Sequence, residues 1–134
     1  MNKGLFNEIL ERGEAATQEV RTFDTGATRD LSEHKLDYEG FLSPIVLRRF
    51  AEYMHEHRKQ KDGSIRSSDN WQKGLPINES FKSLTRHEME VWLMLRGVEN
   101  VKDADGKVVT MEEALCAILF NAQAMLFELL KEKV

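Results

Sequence analysis

The sequence has one cysteine, no basic excess and no long hydrophobic run, and each shortage excludes a class of protein. A single cysteine, Cys116, leaves no disulfide framework within one chain, and its apolar neighbours predict a small buried side chain. The net charge of -4 disfavours non-specific binding to nucleic acid or to an anionic membrane surface. A small phosphorylated ligand remains compatible with this charge, because a bound cation or local Lys and Arg residues can offset phosphate.

Familiar localisation and catalytic signals are also missing. The longest apolar stretch, 114–120, is too short to cross a membrane, and three glutamates interrupt the N-terminus where a secretion signal needs an apolar core. These features predict a cytoplasmic protein that does not enter the membrane. The sequence has no Walker lysine loop and no Gly-x-Gly fingerprint, and its four histidines are too scattered for a typical zinc site. No signature of a cysteine, serine or threonine nucleophile is present, which disfavours covalent catalysis.

The length of 134 residues and a hydrophobic content of 41% fit one globular domain spanning 1–134. Apolar residues in the first dozen positions recur with helical spacing and predict a helical extension within 1–23. The stretch from Phe23 to Ser43 has no sustained period and predicts an irregular connection. A second long polar loop is predicted after residue 58, with Trp71 as its apolar anchor.

Three further helices are predicted from their start and stop signals. Ser43-Pro44 begins one that continues to about Arg58. The next begins after Asn78 and stops at Gly97. Its predicted inner face consists of Phe81, Leu84, Val91, Trp92 and Leu95.

The last predicted helix begins at a capping box of Thr110 and Glu113 and continues to about Lys131. Residues 100–109 contain an Asp105-Gly106 turn between valines, which predicts a small β-hairpin or an open loop. The fold class is therefore all-α, a bundle of about four helices with two long irregular loops.

Two helix faces carry the polar residues with chemical potential. Ser83, His87, Glu90 and Met94 share a face of the 78–97 helix away from its apolar stripe, which predicts a solvated polar face. Glu88 falls inside that stripe, so it is either buried with a partner or the helix is rotated from this estimate.

The last helix also has a polar face, made of small and polar residues in alternation. Either these residues form a close helix crossing, or they leave a cavity in which carboxylates from two helices converge on a divalent cation. The residues of this face are Glu113, Ala117, Asn121, Ala124 and Glu128.

Several short motifs occur in order along the chain and carry a resemblance. They are Gly26-Ala27-Thr28-Arg29-Asp30, Lys35, Tyr38-Glu39-Gly40, Ser43-Pro44, Asp69-Asn70-Trp71-Gln72-Lys73-Gly74, Pro76, Ser83, Arg86-His87 and Phe120-Asn121. With these motifs the region 26–130 resembles a phage-encoded family, the N-terminal domain of dATP/dGTP diphosphohydrolases, related in outline to MazG-type enzymes. The resemblance implies an all-α pyrophosphohydrolase that cleaves purine (deoxy)nucleoside triphosphates to monophosphate and pyrophosphate.

The resemblance also implies roles for individual residues. Glu90 and Glu113 would hold Mg²⁺, with Mn²⁺ as a substitute, and would act with His87 on the attacking water. The implied substrate-binding residues are Lys35, Asn70, Trp71, Lys73, Arg86 and Asn121. For Trp71, stacking on a base and anchoring of the loop are both open.

The chain departs from the MazG acidic motifs, since the second-motif aspartate is absent. This departure motivates an alternative, a module that binds and sequesters a nucleotide without turnover. A second alternative is a phage protein that docks a host partner. The nearly all-apolar last helix predicts a homodimer or higher oligomer.

Overall fold

The computed structural model describes residues 20–31 and 33–133, and this part of the chain is predominantly helical. It has two short strands, β1 (Val20–Thr22) and β2 (Thr28–Asp30), and four α-helices, α1 (Tyr38–Phe41), α2 (Pro44–Glu56), α3 (Ile77–Leu95) and α4 (Met111–Leu130). A 3₁₀ helix lies at Asn70–Lys73. The prediction of a mainly helical fold is confirmed, with a small sheet added. The helix predicted for the first dozen residues lies outside the described residues.

The chain divides into two compact units, Met1–Ser43 and Pro44–Val134. In the first unit β1 and β2 pair antiparallel. Strand β2 lies in the stretch predicted to be irregular, and β1 lies at the end of the 1–23 range predicted as a helical extension. The turn between them is closed by the Phe23 amide, which donates to the Ala27 carbonyl at 2.8 Å. Gly26 adopts a φ of 86°, a conformation that favours glycine, so this short turn can join the strands.

The boundaries of the long helices follow the predicted signals closely. Helix α2 begins at Pro44, as expected for proline in the first helical turn. Helix α3 ends before Gly97, whose φ of 86° stops the helix. The Thr110 hydroxyl accepts from the Glu113 amide and the Glu113 carboxylate reaches back to the Thr110 amide, so the predicted capping box is confirmed.

In the second unit α3 and α4 make the most extensive contact. The amide of Leu75, just before α3, donates to the Glu128 carboxylate near the end of α4, whereas Ser83 meets Asn121 farther along. These two contacts show that the helices run antiparallel. The buried core is made mostly of small side chains, namely Val101, Ala114, Cys116, Ala117 and Ala124.

The predicted orientation of α3 is only partly right, since Leu84 and Val91 are half-buried. Phe81, Trp92 and Leu95, expected inside, are 53%, 56% and 70% exposed, whereas Glu90 on the supposed solvated face is 6% exposed. The small residues of α4 explain the inversion, because they allow a close crossing in which short polar side chains of α3 can find partners. Glu88 is exposed, since it belongs to the outward apolar stripe.

The 97–110 connection contains a minimal hairpin. A single antiparallel bridge joins Lys102 to Val108, and the carboxylate of Asp103 accepts from the amides of Asp105 and Lys107 across the turn. The structure therefore lies between the two predicted alternatives, since the segment turns back on itself like a hairpin but forms only one bridge.

Candidate functional site

A cleft of about 610 Å³ lies in the second unit, bounded by α2, the 57–75 segment, α3 and α4. This volume is in the range of pockets that bind small ligands and cofactors. Its titratable lining residues are Tyr53, His55, His57, Arg58, Arg66 and His87. None of the described residues that line it is an aspartate or a glutamate. The cleft is therefore suited to an anionic ligand, although the chain as a whole is acidic.

The two cleft arginines are held side by side by a short backbone ladder. The Arg66 amide donates to the Arg58 carbonyl at 2.8 Å, and Arg58 Nε donates to the Arg66 carbonyl at the same distance. Lys59 and Ile65 form an antiparallel bridge one step farther along the turn. Guanidinium groups can bind phosphate oxygens in a bidentate manner, so the chemistry of this pair suits a phosphorylated ligand.

The wall that carries Trp71 is fixed to α4 in two ways. The Trp71 ring packs edge-on against Phe127 and Phe120, with ring centroids 5.0 and 6.4 Å apart. The Glu128 carboxylate accepts from the Leu75 amide at 3.1 Å and pairs with Lys131. Trp71 thus anchors the loop, as one of its two predicted roles required, and it also lines the cleft.

A histidine–glutamate pair lies at the α3 side of the cleft. His87 Nδ1 lies 2.8 Å from Glu90 Oε2, and the Glu90 side chain is only 8% exposed. His87 lines the cleft, whereas Glu90 supports it from behind. With Nδ1 engaged by the carboxylate, Nε2 is the ring nitrogen through which His87 can exchange a proton with a ligand or a water.

Tyr53 of α2 adds a neutral phenol to the cleft. Burial, followed by the negative charge of Glu113, Glu90 and Asp103 and by Cys116, raises the pKa of Tyr53 to about 12. The hydroxyl therefore stays protonated at physiological pH and is available as a hydrogen-bond donor. The Tyr53 ring lies 4.0 Å from the His57 ring, centroid to centroid, so the two aromatic groups form one surface.

Glu90 and Glu113, the predicted metal ligands, come from α3 and α4 and both act on the Tyr53 hydroxyl electrostatically. Glu113 is also engaged in its capping box, and within residues 20–31 and 33–133 no group of three potential metal ligands forms. Magnesium in nucleotide sites takes few protein carboxylates and otherwise binds phosphate oxygens and water. Neither Glu90 nor Glu113 is among the described residues that line the cleft.

The structure gathers part of the predicted site into the cleft. Four predicted residues, Asn70, Trp71, His87 and Asn121, line it, and Glu90 reaches it through His87. Buried Asn121 donates through Nδ2 to the Ala117 carbonyl and the Ser83 hydroxyl, at 2.8 and 3.2 Å.

The remaining predicted residues lie elsewhere. Lys73 and Arg86 are exposed and are not among the residues that line the cleft. Lys35 belongs to the first unit and is exposed.

Sequence reasoning missed Tyr53, Arg58 and Arg66, and it considered His55 and His57 only as two of four histidines too scattered for a zinc site. Both histidines are exposed, yet both line the cleft. A signal for the arginines existed, because Arg58 and Arg66 flank a seven-residue turn around Asp62-Gly63 that can fold back on itself.

Comparison with known proteins adds no relative. No family model matches this chain, and searches of curated proteins and of solved structures find no significant match.

Proposed function

We propose that the protein hydrolyses a purine nucleoside triphosphate in this cleft, releasing monophosphate and pyrophosphate. The observation that carries the proposal is the His87–Glu90 pair, whose histidine lines a cleft that also presents Arg58 and Arg66. The arginines supply positive charge for the phosphates, and the pair supplies a base for water. The resemblance of the 26–130 motifs to dATP/dGTP diphosphohydrolases supports the same substrate class.

The chemistry assigns one task to each part of the cleft. Arg58 and Arg66 bind phosphate oxygens and stabilise the charge that develops on them. His87, oriented by Glu90, takes a proton from a water molecule while the water oxygen attacks the α-phosphorus. The α–β phosphoanhydride bond breaks, and pyrophosphate leaves with the bond electrons. The Tyr53 hydroxyl donates a hydrogen bond, and Trp71 offers an aromatic surface to the base.

A magnesium ion, when bound, would neutralise phosphate charge and make the attacking water more acidic. Glu90 and Glu113 are the proposed protein ligands. We also propose a cytoplasmic location, in the host cell if the chain is phage-encoded.

A second candidate function is nucleotide binding without turnover. It is favoured by the lack of acidic residues among the described cleft lining and by the double use of Glu113 as a helix cap. Such a module would sequester a nucleotide through the same arginines. It differs from the hydrolase in one measurable way, because bound nucleotide would be recovered intact.

The experiment measures thermal stability and products with a panel of purine and pyrimidine nucleoside triphosphates, with and without Mg²⁺. A nucleotide at about one hundred times its Kd should stabilise the fold by about 2.7 kcal/mol. A melting shift with monophosphate and pyrophosphate as products supports the hydrolase, and the same shift with intact triphosphate supports the binding module. No shift with any nucleotide contradicts both.

A matched pair of variants tests which arginine binds phosphate. Arg66→Gln removes a cleft guanidinium, so nucleotide affinity should fall at least tenfold, about 1.4 kcal/mol. Arg86→Gln removes an exposed guanidinium outside the described cleft lining and should leave affinity unchanged. A loss of affinity in Arg86→Gln but not in Arg66→Gln would make Arg86 the phosphate-binding residue, as the resemblance implies.

A further inference from the structure

The outer surface of α3 and α4 carries two apolar stripes with the same spacing. On each helix the stripe positions are separated by steps of four, three, four and three residues, the repeat typical of helices that pack in bundles. On α3 they are Phe81, Thr85, Glu88, Trp92 and Leu95, so polar Thr85 and charged Glu88 interrupt the apolar residues. On α4 they are Leu115, Leu119, Ala122, Leu126 and Leu129. All ten residues are exposed.

The two stripes form one continuous face. Because α3 and α4 run antiparallel, residues near the end of α3 lie beside residues near the start of α4. Trp92 and Leu95 indeed share a groove of about 550 Å³ with Leu115 and Ile118. At about 100° per residue, this face lies on the side of each helix away from Ser83, His87, Ala117 and Asn121, which line the cleft.

The size of this face matches a stable protein interface. Its seven large apolar side chains are between 45% and 70% exposed. At roughly 100 Å² of exposed surface each, they present on the order of 700 Å². A standard interface buries roughly 800 Å² per partner, and exposed apolar patches on monomers are usually smaller than a few hundred Å².

We infer that this face binds the same face of a second copy of the chain, so that two α3–α4 pairs form a four-helix bundle. The repeat itself identifies the occupant. Both helices carry it at matching positions, so the face is self-complementary, as a twofold dimer requires. Side chains at these spacings interdigitate with those of an identical face. The two clefts then lie on the outer sides of the bundle, away from the dimer contact.

The first test measures the mass of the full chain by light scattering at about 10 μM, where an apolar interface of this size should be occupied. We expect twice the chain mass of 15.5 kDa. The melting temperature should also rise with protein concentration, because unfolding is then coupled to dissociation. A monomer at this concentration, with a melting temperature independent of concentration, would overturn the inference.

Two variants locate the contact. Leu119→Glu places a charge within the α4 stripe and should give a monomer with the helical circular dichroism retained. Ile45→Glu makes the same kind of change on α2, where Ile45 is 80% exposed, and should remain a dimer. If Leu119→Glu fails to fold, Leu119→Ala should still weaken self-association at least tenfold. Dissociation by Ile45→Glu with an intact Leu119→Glu dimer would place the interface elsewhere.

A lipid surface is the competing occupant, because α4 is long and apolar enough to cross a membrane by length and composition. Sedimentation with phosphatidylcholine vesicles distinguishes the two. The dimer should stay in the supernatant. A protein that is monomeric in solution and sediments with the vesicles would overturn the inference.

Discussion

The inner and outer faces of α3 differ in the opposite sense from a usual amphipathic helix. The inner face presents Ser80, Ser83, His87 and Glu90 to α4 and the cleft, whereas the outer face presents Phe81, Trp92 and Leu95 to the surroundings. A solitary folded chain normally buries the apolar stripe. The comparison shows that α3 has buried polar residues on one side and exposed apolar residues on the other. Its polar side carries residues that line the cleft, and its apolar side belongs to the face that we propose binds a second copy.

The largest expected effect comes from adjacent residues on the two faces. His87→Leu leaves the buried Glu90 without its hydrogen-bond partner, so the free energy of unfolding should fall by about 3 kcal/mol. Glu88→Leu, one residue later, extends the exposed apolar stripe and should not destabilise the fold. Urea denaturation of both variants measures the difference. Equal losses would mean that the two faces are not distinct environments.

A smaller effect concerns pH and the attachment of the cleft wall to α4. Hydrogen bonds from Lys131 and from the Leu75 amide lower the pKa of Glu128 below its ordinary value of 4.5. Because the carboxyl is more acidic in the folded chain, this anchor contributes stability above pH 4.5 and loses it as the pH falls through the lowered pKa.

We therefore expect Glu128→Gln to lose less stability than the wild type between about pH 5 and about pH 3, as measured by urea denaturation. Asp62→Asn is the matched control. The pKa of Asp62 is also lowered, by hydrogen bonds from Ser64, but Asp62 lies at the turn tip away from the anchor. Both variants should flatten the pH dependence, and only Glu128→Gln should alter the fluorescence of Trp71. A change of fluorescence in Asp62→Asn alone would contradict this role of Glu128.

The smallest expected effect is on the capping box of α4. Glu113→Gln keeps a side chain that can accept from the Thr110 amide, so it should cost less than about 1 kcal/mol of stability. If Glu113 also holds a cation with the nucleotide, the same variant should reduce magnesium-dependent affinity or turnover at least tenfold. Calorimetry with and without Mg²⁺ measures this directly. Unchanged affinity and rate would remove Glu113 from the site.

Local signals predicted the elements well, because each depends on a few neighbouring residues. The helix ends could be predicted from short local signals, namely Pro44, Gly97 and the Thr110–Glu113 capping box. The sheet was missed because each strand has only three residues. So short a segment cannot show the alternation of apolar and polar residues that distinguishes a strand from a loop.

The orientation of α3 could not be read from its own pattern. An apolar stripe shows that a helix needs a partner, but it does not say whether that partner is the same chain or another molecule. The decisive information lay in α4, whose Ala114, Ala117 and Ala124 allow close approach on the polar side. The cleft was predicted only in part for the same reason, because it combines residues of α2, the 57–75 segment, α3 and α4 whose packing no single segment specifies.

The placement of the two tryptophans has a spectroscopic consequence. Trp71 packs against Phe127 at the cleft wall, whereas Trp92 stands in the exposed apolar stripe. Indole emission shifts to the blue when water is displaced, so each ring reports on a different event. With Trp92→Phe, the remaining emission follows ligand entry into the cleft. With Trp71→Phe, it would follow the proposed association of two chains, so each event can be titrated in its own single-tryptophan variant.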